Sequence, residues 1–299
     1  MVNIQVMGIT NSQTNPNSRK YLLALGEPDC TIEIAFLDMG NDRGICASAQ
    51  AGCAFQCRHC ATTYAPKPFI RNITDEEIVD AIECVRADVA PGETLDYLDF
   101  SGIGDCSANW DAVRNACLTL AQRNVIKRYS MTSIAPRQWT ERVIEEQRSG
   151  KTSIEKVMIS LHGPDLITRR LLIPQAEDPW KAVQWWRPLK QTGCRVILNY
   201  VAHKENSTYN HSLKLSDYLQ ANMDWFNIIR ISPLNPVTGM QLIPASDETF
   251  ELFINTLKKN IGAEFVTIFN PFGRDIGMGC GQMRALDQSK KNFSQDLAM

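Results

Sequence analysis

The chain has 299 residues, with 31 Lys and Arg against 33 Asp and Glu and a formal charge of −2, so no global positive field draws it onto nucleic acid. Its hydrophobic content of 44% is ample for a buried core, in either two average domains or one barrel-sized domain. No run approaches the roughly twenty apolar residues of a membrane span, the opening MVNIQVMGITNSQTNPN lacks the apolar core of a signal peptide, and ten cysteines in so long a chain do not make a small secreted disulfide scaffold; the expectation is a soluble cytosolic protein.

Residues 1–30 are rich in Asn, Ser, Pro and Gly and read as an arm or cover, with one helical run from Tyr21 to Leu25. Thr31 to Leu37 (TIEIAFL) alternates as a strand does, and MGNDRG supplies turn residues, which predicts a hairpin leading into the segment that follows. Thr74 and Glu77 stand as a capping box opening a helix to about Ala87. Strands are then expected at Leu95 to Ser101, Ile126 to Thr132, Glu155 to Leu161, Arg195 to Val201, Phe226 to Ser232 and Glu264 to Phe269. Helices are expected between them at Trp110 to Gln122, Gln138 to Gln147, Pro179 to Lys190, Leu213 to Ala221 and Asp247 to Lys259. That alternation predicts an α/β fold with a parallel sheet and outer helices, in the form of a partial (β/α)6 TIM-like barrel with an N-terminal β-hairpin extension. The corresponding domains are 1–45 as arm and hairpin, 46–285 as the partial barrel with a C-terminal cysteine loop, and 286–299 as a tail. No Gly-x-Gly-x-x-Gly fingerprint follows a strand, so a dinucleotide fold is a weak competitor.

The densest chemistry lies in Gly44 to Cys60, GICASAQAGCAFQCRHC, with four cysteines in fifteen positions. Cys53, Cys57 and Cys60 form C-x3-C-x2-C. Three thiolates this close on one loop suit three irons of a 4Fe-4S cluster and leave the fourth iron open to a substrate or cofactor. Zinc and plain packing are the alternatives. Structural zinc takes four ligands from well-separated paired elements, and His59, between two of the proposed ligands, is poorly set to be the fourth.

Barrel enzymes carry their chemistry on the loops that follow the strands. Gly102 to Asp105, Thr132 and Ser133, Ser160 to Gly163, His203, and Ser232 to Pro236 all fall at expected strand ends. Singly, each has an ordinary explanation as a turn former or helix cap; their common edge is the stronger signal.

The C-x3-C-x2-C loop resembles that of the radical S-adenosylmethionine (SAM) enzymes, with His59 where the residue before the last cysteine is usually aromatic. Cys46 stands seven residues before Cys53, and Gly279-Cys280-Gly281-Gln282 follows PFGRDIGM. Together with SLHG and the NP of PLNP, these make the chain from about Glu33 to Met283 resemble the RlmN and Cfr RNA methylases, class A radical SAM methyltransferases. The resemblance implies a 4Fe-4S cluster on Cys53, Cys57 and Cys60, and SAM as the other cofactor. It sets Gly104 and Asp105 where the family has Gly-Glu at the SAM amine, and Ser133, Ser160, His162 and Asn235 among the SAM contacts. Cys280 matches the cysteine that becomes S-methylated, Cys46 its resolving partner, and Glu33 the hairpin glutamate that serves the family as proton acceptor.

An sp2 ring carbon is too poor a nucleophile to displace the methyl of SAM, so a radical must attack it. The resemblance implies that one SAM methylates Cys280 and that a second is split by an external one-electron reductant to methionine and a 5'-deoxyadenosyl radical. That radical takes a hydrogen from the methyl on Cys280, and the thiomethylene radical adds to the substrate. Cys46 then attacks the Cys280 sulfur, which releases product and leaves a disulfide for reduction. Glycines on both sides of Cys280 suit a mobile loop.

The chain departs from the family pattern at three positions: Asp105 is one methylene shorter than Glu, Cys106 replaces a proline, and Ile134 replaces a glycine. The family's N-terminal RNA-holding domain is expected to be absent, with about thirty residues before the hairpin. Arg58, Lys67, Arg71, Arg169 and Arg170 lie near the expected mouth, where such residues are usually solvated or ion-paired. The charge balance therefore favours a small molecule or biosynthetic intermediate as acceptor, with adenine in ribosomal or transfer RNA as runner-up. A non-catalytic metal-binding or redox-sensing protein is the competing class. Cys84, Cys117 and Cys194 read as buried thiols, and Trp185 and Trp186 as packing.

Overall fold

The computed structural model describes residues 3–269 and 281–296, with Pro28 and residues 290–296 as backbone. In chain order it contains β1 (Ile4–Asn11), β2 (Arg19–Leu25), β3 (Glu27–Asp38), β4 (Arg43–Ala47), the short β5 (Gln50–Gly52) and β6 (Phe69–Asn72), α1 (Asp75–Val89), β7 (Leu95–Phe100), α2 (Trp110–Gln122) and β8 (Ile126–Ser133). There follow α3 (Arg137–Arg148), β9 (Lys156–Ser160), α4 (Leu166–Leu172), α5 (Pro179–Trp186), β10 (Arg195–Ala202), α6 (Tyr209–Gln220), β11 (Ile228–Pro233), α7 (Asp247–Ile261), β12 (Val266–Ile268) and α8 (Gln282–Asp296). The chain divides into two compact units: Met1–Gln56 and Cys60–Met131 with the C-terminal helix, and Cys57–His59 with Thr132–Pro271.

In the first unit β1, β2, β3 and β4 pair antiparallel in that order, and β7 and β8 continue parallel to β4. The expected arm is therefore sheet, and Tyr21 to Leu25 is strand rather than helix. Its five consecutive apolar residues lack the alternation that marks a strand covered on one face. Tyr21 through Leu25 are all buried, the condition under which a strand reads as a continuous apolar run and cannot be told from a helix by period. Burying each of Leu22, Leu23 and Leu25 contributes roughly 1.5–3 kcal/mol. The Thr74 capping box forms as expected: Thr74 Oγ1 accepts from Glu77 N at 3.2 Å and Thr74 N donates to Glu77 Oε2 at 2.8 Å. The residues taken as a C-terminal tail lie largely within α8, so the expected boundary at 285/286 falls inside a helix.

In the second unit β9, β10, β11 and β12 are parallel neighbours, each pair in continuous register. Trp186, Trp225, Tyr200 and Phe253 are the large side chains of its core. Trp186 packs as expected, fully buried with Nε1 donating to Ala135 O at 2.8 Å. The α/β class and the strand-helix alternation thus hold, with the helix Leu166–Leu172 added to those expected. Among the described residues no helix is long and apolar enough to cross a membrane. A surface groove of about 590 Å³ lies against α3 and α5, on the outer helices rather than at the strand ends.

Candidate active site

In the first unit the cysteine loop leaves the β5–β6 hairpin through Gly52. Its φ is +88°, and a Cβ there would come 2.3 Å from Pro68 O, so a side chain at this position would displace the backbone. Cys53 N donates to Pro68 O at 2.8 Å, and the loop closes where Thr63 N donates to Cys60 O at 3.1 Å. Gln56 takes a second left-handed conformation, φ +50°. Burial, reinforced by Cys60, pushes the Cys53 thiol up to about 12, and burial likewise raises that of Cys60, with Glu33 adding to it. Thiols raised in this way and only half-buried give up their protons to a metal rather than to water. Three soft donors on one tight loop fit the irons of a 4Fe-4S cluster. Among the described residues no three His, Cys, Asp or Glu side chains converge around one ion position; the three cysteines would each hold a different iron, so they need not.

The Gly102 to Asp105 loop follows β7 and packs onto the strand that feeds the cysteine loop. A Cβ on Gly102 would lie 2.6 Å from Ala47 O, and one on Gly104, whose φ is +89°, would lie 2.7 Å from Gln50 Cβ. Asp105 is buried: its N donates to Gln50 Oε1 at 3.1 Å and its Oδ1 accepts from Ser107 N at 2.9 Å, capping the turn Cys106–Asn109. The carboxylate also bears on the Cys53 thiol. Ser48 ties this loop to β3, with Oγ accepting from Ile103 N at 3.2 Å and Glu33 N at 3.1 Å while donating to Glu33 O at 2.7 Å.

Cys46 lies on β4 opposite Ala35 of β3 and Asp99 of β7. It is half-buried, with Sγ 3.2 Å from Ser101 Oγ. Glu33 lies on β3, two residues from Ala35, with its side chain 3% exposed and 2.6 Å from Lys20 Nζ. Its Oε2 accepts from Gly281 N and its Oε1 from Arg284 N, each at 2.8 Å. Cys280 lies outside the described residues. Its neighbour Gly281 has φ +81°, and a Cβ there would meet Thr62 Oγ1 at 2.2 Å and Thr62 N at 2.8 Å. Lys20, Ser48, Ser101 and Thr62 were not singled out in the sequence, and none of them carries a local signal; Gly281 was read there as one of the two glycines flanking Cys280.

In the second unit the other expected SAM contacts lie at the carboxyl ends of strands. Ser133 closes β8 and accepts from Ala135 N at 2.9 Å; Ser160 closes β9; Asn235 lies two residues beyond β11 and is half-buried. His162 is buried with φ +56°. Its Nδ1 accepts from Val201 N at 3.0 Å, which fixes the neutral tautomer with hydrogen on Nε2. Burial, with His59 and Arg169 adding, pushes its pKa well below the usual histidine range. His59 lies edge-on to His162, ring centroids 4.6 Å apart, so the imidazole supplies an aromatic edge at the position where the family pattern has an aromatic residue.

The basic residues expected near a mouth are engaged elsewhere. Arg169 is buried, and its guanidinium donates to the carbonyls of Leu161, Glu177, Ile134 and Ser160 at 2.6–3.1 Å and lies 5.0 Å from the Trp186 ring. It holds strand-end loops together and is no surface cation. Arg71 forks onto Glu77 at 2.6 and 2.7 Å, Lys67 pairs with Asp29, and Arg170 Nε donates to Ala176 O. Of Arg58, the backbone N donates to Leu172 O at 2.8 Å.

No family model matches the chain. It is 28% identical over 281 residues to a probable dual-specificity RNA methyltransferase RlmN from Carboxydothermus hydrogenoformans, covering 90% of this chain and 76% of that relative. It is 29% identical over 276 residues to one from Pelodictyon phaeoclathratiforme, covering 89% and 74%. Among solved structures, a radical SAM methyltransferase from Sphaerobacter thermophilus superposes with a TM-score of 0.79 at 22% identity, covering 93% of this chain and 80% of that one; this likeness is one of fold. The cysteine triad and the strand-end residues agree with these likenesses: over about nine-tenths of its length the chain is similar to the RlmN methyltransferases, and its fold is that of a solved radical SAM methyltransferase.

Proposed function

We propose that the enzyme places a SAM-derived one-carbon unit on an sp2 carbon of adenine in RNA, by way of Cys280 and Cys46. What carries this reading is an arrangement inside the first unit. The C-terminal segment enters its helix at Gly281, against Thr62, two residues beyond Cys60, and against Glu33, on the strand beside the one that bears Cys46. Cys280 is the residue that precedes that glycine in the chain.

The expectation of a small-molecule acceptor is not supported. It rested on net charge, a sum over the whole surface that does not report a local groove. The relatives matched over about nine-tenths of this chain and about three quarters of their own length are named as RNA methyltransferases, which favours an RNA adenine.

When bound, the cluster and SAM supply the methyl carbon and the 5'-deoxyadenosyl radical. Cys53, Cys57 and Cys60 would hold the cluster; the proposed SAM contacts are Gly104 and Asp105 in the first unit and Ser133, Ser160, His162 and Asn235 in the second. Cys280 carries the carbon as a thioether. Ser101 Oγ lies 3.2 Å from Cys46 Sγ and fixes the position of that sulfur. After the radical adds, the adduct gives up the hydrogen of the attacked carbon as a proton and its unpaired electron to the external one-electron couple. Cys46 then attacks the Cys280 sulfur: the S–S bond forms as the C–S bond breaks, the electron pair stays on the departing carbon, and a proton completes the methyl group. A two-electron reductant then resets the disulfide.

The direct test supplies the anaerobically reconstituted enzyme with methyl-labelled SAM and total RNA from a methylase-deficient strain. Label on adenine, falling steeply with added salt as phosphate contacts require, is expected. Label confined to small metabolites overturns the RNA reading. Cys46→Ala is expected to accumulate a covalent protein–RNA adduct with turnover reduced at least about a hundredfold, the order lost when a covalent-catalysis residue is removed; normal turnover would overturn the two-cysteine route.

A further inference from the structure

We infer that Glu33 is a positioning residue, which holds the methyl-carrying cysteine in place by capping the helix that begins beside it. This rests on the reading of Cys280 as that cysteine. A capping box joins the backbone N–H of the N-cap residue and that of N3 through two side chains of the same helix. At α8 these two positions are Gly281 and Arg284, and Gly281 has no side chain to offer. Glu33 reaches in from β3 and serves both ends with one carboxylate, Oε2 on Gly281 N and Oε1 on Arg284 N, each at 2.8 Å. Ala285 N donates to Gly281 O at 2.9 Å, so the first helical turn closes on this clamp. A negative group at a helix N-terminus is favoured both by the open N–H groups and by the helix dipole.

Three further features make the clamp specific. Lys20 Nζ lies 2.6 Å from Glu33 Oε2, both side chains 3% exposed, so the carboxylate is neutralised and held from behind. Gly281 has φ +81° and no room for a Cβ against Thr62, so the chain is seated from the other side by the turn that follows Cys60. Arg284 is fully buried and donates through Nη2 to Lys67 O at 2.6 Å, which fixes the far end of the same turn. A carboxylate has about four acceptor positions, and three of Glu33's are filled by donors that a proton-accepting carboxylate would have to surrender. Glu33 therefore acts through Gly281, which it holds, and so through the orientation of its neighbour Cys280. Lys20 acts through Glu33.

The test compares the full-length wild type with Glu33→Gln, Lys20→Met and Gly281→Ala. The last leaves the ion pair intact and covers the case in which changing a buried charge unfolds the protein. Hydrogen exchange on each chain as purified reads the clamp without recourse to activity. The Gly281 and Arg284 amides are expected to exchange at least about tenfold faster in Glu33→Gln, the order set by losing a charge-assisted hydrogen bond; unchanged rates overturn the proposal. After reconstitution, mass analysis reads the methyl on Cys280, and 5'-deoxyadenosine reads SAM cleavage. A positioning role lowers Cys280 methylation in all three variants while SAM cleavage stays within about twofold. Full Cys280 methylation in Glu33→Gln with a stalled substrate adduct would instead make Glu33 the proton acceptor and overturn the proposal. A wild-type chain that never carries the methyl would overturn the reading of Cys280 itself, an outcome told apart from the clamp's failure by the exchange rates.

Discussion

Arg169 illustrates how a residue's meaning changes with burial. In the sequence it is one of a pair of arginines near a strand end, with the look of a phosphate contact. In the fold its guanidinium satisfies four backbone carbonyls in a dry interior, and burial lowers its pKa to about 10. Lysine has neither the planar fork nor the five donors to replace it. Arg169→Lys is expected to lose at least about 3 kcal/mol of stability, the cost of leaving several buried carbonyls unsatisfied, measured by urea denaturation; a loss under about 1 kcal/mol would contradict the buried clamp. The histidines give a pH dependence. His162 and His203 are both buried with pKa values lowered by burial. Below about 6.5 the unfolded chain binds protons that the folded chain refuses. Stability is therefore full above that pH and falls as the pH drops toward 5, by up to about 1.4 kcal/mol per pH unit for each histidine. His162→Asn should flatten part of that slope in denaturation midpoints measured between pH 5 and 7.5. The cysteine spacing was the clearest signal in the sequence, because Cys53, Cys57 and Cys60 lie within one short local stretch. Lys20 and Glu33 were opaque as a pair: their contact depends on the pairing of β2 with β3, and their joint target lies some 250 positions away at α8.

At the scale of elements, legibility followed the periodicity. The helices α1, α2, α3 and α7 and the strands β7 to β11 lie close to where their patterns placed them. The cap of α1 was readable down to its two hydrogen bonds, and Thr74→Ala is expected to cost about 1 kcal/mol, with Glu77 still engaged by Arg71; no change in the denaturation midpoint would contradict the cap. β1 and β2 were missed because polar turn residues dominate the composition of the first thirty positions, and because the buried run in β2 has no alternation to reveal it. The β5–β6 hairpin was missed because three residues are too few to show a period. Yet it positions the cysteine loop, through Gly52 and the bond from Cys53 N to Pro68 O.

At the scale of the whole molecule, the sequence predicted an α/β architecture built on parallel strands, and both units contain such strands. Net charge was the weakest guide, since a value of −2 averages over a surface on which Arg71, Lys67 and Arg128 are each met by an acid. The central claim is that one carbon passes from SAM to substrate by way of Cys280. The most direct measurement is peptide mass analysis after the anaerobically reconstituted enzyme has been given methyl-labelled SAM and dithionite, with 5'-deoxyadenosine followed in parallel. The account requires a labelled methyl on Cys280 that disappears on addition of RNA as 5'-deoxyadenosine forms. A protein that cleaves SAM and methylates RNA while Cys280 stays unlabelled would contradict it.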